Sequence, residues 1–180
     1  MWPIREVRVY SRRRQRSEEL CERLPASHPG VDFVVAETCR QAVRGADVIC
    51  AATRSQAPLF ETGGLAPTAH INAIGAYRLD MHEVPPEAFR LAATVAIDQL
   101  AAVLAEAGDV VAALDGGFLR RANLAEIGQL LISGTAPASG LTIFKSVGIA
   151  GQDWPACELA VRRAWEAGLL PGGPQDGGAA

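Results

Sequence analysis

The sequence predicts an α/β protein with a mostly parallel sheet flanked by helices. Three observations lead there. Short runs rich in β-formers alternate with helical patterns along most of the chain. Residues 47–53 are almost continuously apolar and 70–75 form a second such run, the pattern of strands covered on both faces. No internal repeat or interior linker divides the sequence.

Residues 5–10 alternate polar and apolar and end in β-formers, which predicts a strand. A helix begins near Arg13, carries apolar positions at Leu20, Cys21 and Leu24, and stops at Pro25. After the Pro29-Gly30 turn comes a second strand, 31–35. Thr38 caps a short helix through Val43, and Gly45 ends it. The strands at 47–53 and 70–75 follow, then a helical turn or two over 85–90 opened by Pro85-Pro86. A strand is expected at 94–98 and a helix near 99–106. Between Leu119 and Ile132, apolar residues at 119, 124, 127, 130 and 131 have helical spacing. A last short strand occupies 142–148, and 154–168 is an amphipathic helix with Pro155 near its first turn. The expected organisation is one partial domain, residues 4–169, and a disordered Gly/Pro-rich tail, 170–180.

Composition narrows the function. The chain has 180 residues, a net charge of −3 and 49% hydrophobic residues, which excludes a disordered chain. A pI of about 5.6 gives no broad basic footprint and argues against nucleic-acid binding. No apolar run approaches the ~20 residues of a membrane-spanning helix, and the opening Met1–Glu6 lacks a signal-peptide pattern. Cys21, Cys39, Cys50 and Cys157 are scattered without a CxxC pair, so they read as reduced thiols of a cytoplasmic protein. His28, His70 and His82 show no metal-ligand spacing.

In such sheets ligands sit beyond the carboxyl ends of the strands. After the first strand comes Tyr10-Ser11-Arg12-Arg13-Arg14, with no carboxylate until Glu18. A serine followed by guanidinium groups suits a ribose 2′-phosphate, whereas NAD sites place an acid there. The alternative is a solvated basic helix start. Three further strand ends carry small or hydroxyl residues: Thr53-Arg54-Ser55, Gly75-Ala76-Tyr77-Arg78 and Lys145-Ser146-Val147-Gly148. Asp80 and His82 lie in the loop after Gly75, where either serves as a candidate proton donor or as an ordinary solvated loop residue.

Together these segments resemble the ornithine cyclodeaminase/mu-crystallin family. The resemblance is carried by Gly45-Ala46-Asp47-Val48-Ile49, Thr53, residues His70 to Asp80, Gly108-Asp109-Val110, Glu126-Ile127-Gly128 and residues Phe144 to Ala150, in order from about Ile4 to Leu169. It implies a Rossmann-type NADP- (or NAD-) binding domain, a small amino-acid or imine substrate, no nucleic-acid or membrane partner, and a homodimeric full-length form. By position, Ser11, Arg12 and Arg13 match the adenosine-side pocket of NADPH-using members, and Thr53, Ala76, Tyr77 and Ser146 match cofactor contacts. Cyclodeaminases of the family place a catalytic aspartate where this chain has Tyr77, while Arg78-Leu79-Asp80 resembles the Arg-Pro-Asp of the mu-crystallin-like branch. The resemblance therefore implies reduction of cyclic imines or ketimines, with Asp80 as proton relay. Ornithine cyclodeamination and a catalytically inactive binding protein are the alternatives.

One departure is large. The chain contains no G-x-G-x-x-G, which family members carry just upstream of the strand that begins near Arg5. The fold is thus expected to be incomplete. The first Rossmann strand and its glycine loop are expected to be missing from this sequence, which leaves a space between strands 5–10 and 47–53.

Overall fold

The computed structural model describes residues 3–136 and 138–171. They fall into two compact units that divide between Val147 and Gly148. The expected tail, from residue 172 on, lies outside the described residues.

In the first unit, seven strands form two parallel sheets. β1 (Glu6–Val9) pairs only with β2 (Asp32–Val35). The larger sheet has the order β3 (Val48–Ala51), β4 (His70–Ala73), β7 (Thr142–Lys145), β5 (Thr94–Ile97), β6 (Leu124–Glu126). Every pairing is parallel. The two sheets share no ladder, and the free edges of β1 and β3 border one trough. The expected space beside the first strand is present.

The helices of this unit are α1 (Arg14–Arg23), α2 (Cys39–Val43), α3 (Pro86–Leu91), α4 (Leu100–Glu106), α5 (Gly108–Asp115) and α6 (Ile127–Ser133). Local chemistry sets their ends. The Thr38 hydroxyl accepts from the Gln41 amide at 3.1 Å and caps α2. Pro86 opens α3, where a missing N–H is harmless. Gly45 takes φ +63° just past α2, a left-handed conformation that glycine adopts without a steric cost.

The core lies on one face of the large sheet. Ile49, Ile71, Ala73, Val95, Ile97 and Ile143 point into it and meet Phe89 of α3, Val103 of α4, and Val110 and Ala113 of α5. The opposite face holds Val48, Cys50, His70 and Asn72 and is exposed or half-buried. Continuous apolarity predicted cover on both faces, but β3 alternates exposed and buried, because the core helices pack on one side. On the open face His70 bonds its ladder partner Thr142 at 2.7 Å and Asn72 at 3.2 Å, a structural use of the imidazole.

Two expectations need correction. The helical spacing from Leu119 to Ile132 is broken by β6, a three-residue edge strand that runs directly into α6. Leu131 and Ile132 of α6 are exposed, so that apolar spacing reports no core contact there. The sequence pattern ends a helix near 106 and places none over 108–115, where α5 lies. The chain does leave helical geometry at Ala107, then starts again at Gly108.

The second unit contains a 3-10 turn, Ala150–Gln152, and helix α7 (Asp153–Glu166). An exposed Arg162–Glu158 pair at 3.8 Å spans one turn of α7. Among the described residues no helix is long and apolar enough to cross a membrane.

Candidate dinucleotide site at the strand tips

The trough between the two sheets has a volume of about 1160 Å³. Its first wall comes from β1 and the start of α1. Val7 and Val9 hold β1 against β2, which leaves Tyr10, Ser11, Arg12 and Arg13 to emerge past the strand end. The Ser11 hydroxyl accepts from the Arg13 amide at 3.3 Å and forms the turn into the helix. The second wall is β3 with its tip, Ala52-Thr53-Arg54-Ser55, and the neighbouring tip of β4, Ile74-Gly75 with Tyr77.

Charge distinguishes this trough. Five arginines line it, Arg8, Arg12, Arg13, Arg16 and Arg54, and no aspartate or glutamate does among the described residues. The whole chain carries −3, so this is a local concentration of positive charge. Arg8 is partly spent, pairing with Glu6 at 3.0 Å and donating to the Gln41 and Arg44 carbonyls at 2.9 and 2.8 Å. Arg14, outside the lining, is held by Glu18 at 2.7 Å and by Glu37, and these two carboxylates push its pKa upward. The first turn of α1 contains no acid and its N-cap side chain makes no capping bond, so no carboxylate offsets the arginines there.

Beneath the tips lie buried carboxylates that the sequence did not reveal. Glu83 is fully buried. One of its oxygens accepts from the Thr53 amide and, at 2.8 Å, from the Thr53 hydroxyl. The other accepts from the Gly75 and Ala76 amides at 2.7 and 3.0 Å. Asp98 does the same between β5 and β7. It accepts from the Ser146 hydroxyl and the Val147 amide, both at 2.9 Å, and from the Gln99 amide at 2.8 Å. Behind them, Lys145 donates to the Ala76 carbonyl at 2.6 Å and lies 3.5 Å from Asp109, both side chains being buried. Burial pushes the Asp109 carboxyl above its ordinary range against the opposing pull of Lys145.

Of the residues singled out from sequence, Ser11, Arg12, Arg13, Thr53 and Tyr77 come together on the trough lining. Ala76 is buried one residue behind it, and Ser146 sits at the β7 tip against Asp98. Neither lines the trough, and neither does Asp80. Asp80 is exposed, paired with Arg78 at 3.0 Å and accepting from Gln56 at 3.2 Å. Arg8, Arg16 and Arg54 were not singled out. Arg54 had a signal, since it directly follows the Thr53 strand end. All four cysteines are free thiols, and among the described residues no metal-holding cluster of His, Cys, Asp or Glu occurs.

The sequence model of the ornithine cyclodeaminase/mu-crystallin family matches residues 1–168. The chain is 37% identical over 167 residues to ketimine reductase mu-crystallin of Mus musculus, covering 92% of this chain and 49% of that protein. Its fold matches the Delta(1)-pyrroline-2-carboxylate reductase of Thermococcus litoralis, solved with NADH and L-proline. The TM-score is 0.85 at 25% identity, over 92% of this chain and 52% of that one. A probable ornithine cyclodeaminase from Bordetella pertussis matches with a TM-score of 0.80 at 30% identity, over 91% and 52% of the two chains. The fold is thus the expected Rossmann-like arrangement, and the chain spans about half the length of the curated relatives it matches.

Proposed function

Because the chain belongs to the ornithine cyclodeaminase/mu-crystallin family, we propose that it is the dinucleotide-binding part of an NADP-dependent reductase of cyclic imines and ketimines of amino acids. The observation that carries this reading is the arginine-lined, carboxylate-free trough between β1 and β3. A phosphorylated dinucleotide is a polyanion, and guanidinium forks match its phosphate oxygens. At about 1160 Å³ the trough exceeds the ~300–1,000 Å³ of typical small-molecule sites, room enough for an extended dinucleotide.

In this reading Ser11, Arg12 and Arg13 hold the ribose 2′-phosphate; Arg14 is committed to Glu18 and Glu37. Thr53 and Tyr77 contact and orient the remainder of the dinucleotide from the trough lining, Ser146 borders it from the β7 tip, and Ala76 shapes that contact from its buried place behind Gly75. Bound NADPH supplies the hydride for the carbon of the substrate C=N bond. Asp80, oriented by Arg78 and Gln56, relays the proton to the imine nitrogen. Residues 4–169 constitute the cofactor-binding portion, and the resemblance supports a homodimer for the longer protein. Four free thiols support a reducing, cytoplasmic compartment. The likeness to a probable ornithine cyclodeaminase favours cyclodeamination as a second reading.

Titration of the chain with NADPH and NADH tests the reading. NADPH is expected to bind more tightly, and Arg12→Ala/Arg13→Ala to reduce that preference about tenfold or more, the loss of one charged hydrogen bond. Equal affinity for the two nucleotides in the unsubstituted chain overturns the NADP assignment. A panel of cyclic imine carboxylates then separates the readings: reduction with NADPH supports the reductase, and formation of proline from ornithine supports the cyclodeaminase.

A further inference from the structure

We infer that Glu83 and Lys145 are positioning residues: together they hold residue Ala76 at both its N–H and its C=O, and through Thr53 and Gly75 they set the floor of the trough. The inference rests on the dinucleotide reading and adds a role that the cofactor contacts themselves do not require.

The geometry is one of opposed charges gripping a single residue. Ala76 donates its amide to Glu83 at 3.0 Å and accepts from the Lys145 ammonium at 2.6 Å. Both charged side chains are completely buried. Glu83 reaches further, to the Thr53 amide and hydroxyl just past β3 and to the Gly75 amide just past β4. Its four donors are therefore drawn from two neighbouring tips, and both Thr53 and Gly75 border the trough. A side chain that merely filled the core would be apolar here, because a buried carboxylate is tolerated only when its oxygens are fully bonded. Gly75 completes the device. A Cβ at that position would collide with the Thr53 backbone and the Glu83 carboxylate, so only glycine lets the tips come this close.

The test uses the full 180-residue chain. Glu83→Gln keeps the shape but turns an N–H donor toward backbone donors, so one of the two tips loses its acceptor. Amide exchange at Thr53, Gly75 and Ala76 is expected to accelerate about tenfold or more, and NADPH affinity to fall by about the same factor, while β5 amides keep their protection. Glu83→Asp, one methylene shorter, is expected not to rescue. Should Glu83→Gln fail to fold, Thr53→Val removes only the hydroxyl bond and is read by amide exchange at Gly75 and Ala76 without nucleotide, which a lost cofactor contact at Thr53 would not move; acceleration of about fivefold is expected, and unchanged exchange there overturns the inference. If the unsubstituted chain binds NADPH and both Glu83 variants bind it within twofold, the inference is overturned, whether or not the amides move. If the unsubstituted chain binds neither NADPH nor NADH, the dinucleotide reading fails. The clamp is then judged on exchange alone, supported by the acceleration and overturned by its absence.

Discussion

Replacing Lys145 by methionine is expected to destabilise the protein by about 3–5 kcal/mol, the usual loss when one partner of a buried pair is removed. The side chain is fully buried, so no water replaces its contacts. Two groups lose their partner together: the Ala76 carbonyl at 2.6 Å and the Asp109 carboxylate at 3.5 Å. Against a typical net stability of roughly 5–15 kcal/mol this is a large fraction. The deficit should depend on pH. Asp109 is already held above its ordinary value of 3.8, chiefly by desolvation. A carboxyl raised in the native state binds more protons there than in the unfolded chain, so its contribution to stability falls as pH rises from its ordinary value through the raised one. Removing Lys145 raises it further. The variant should therefore lose less stability at about pH 5 than at about pH 8, and adding Asp109→Asn should recover part of the loss at the higher pH. Urea unfolding at both pH values reads this directly. A loss below about 1 kcal/mol, or one independent of pH, contradicts the assignment of the pair as a buried ionic contact.

Substituting Gly75 by alanine is the second large effect. The added methyl would overlap the Thr53 backbone and the Glu83 carboxylate, neither of which is a flexible side-chain end free to swing away. The expected cost is about 3 kcal/mol, the upper end of the overpacking range, because relief requires separating two strand tips. Gly63→Ala provides the control, since a Cβ there meets nothing within 4 Å. It should shift stability by no more than about 0.5 kcal/mol. Equal denaturation midpoints for the two variants would remove the steric argument for Gly75.

The strand tips were legible because they follow apolar runs. Thr53 ends one such run, Gly75 ends another, and Ser146 comes directly after Lys145 at the end of β7. The strand order follows less directly, since β7 inserts between β4 and β5 although it comes last in the chain. The carboxylates under the tips were not legible at all. Glu83 stands between His82 and Val84 in a loop, where a solvated acid would look the same. Only the fold shows that four donors converge on it. Asp109 stands in the Gly108-Asp109-Val110 motif, but its role does not show in the sequence because its partner Lys145 lies far along the chain. Helix α5 was missed for a related reason. Its first residue, Gly108, signals a turn, yet a glycine is needed because a Cβ would strike the Leu79 and Met81 carbonyls.

The separation of β1 and β2 from the larger sheet bears on cooperativity. β4 and β7 each have neighbours on both sides, whereas β1 and β2 have only each other across four residue pairs. Such a ribbon is marginal by itself, so its amides should exchange at least about tenfold faster than those of β4, a difference readable by hydrogen–deuterium exchange. A ligand bridging Arg12 and Thr53 would then bind by freezing this loose margin. Part of its intrinsic attraction would be consumed in that ordering, and exchange in β1 would slow on saturation without any change in the pattern of contacts.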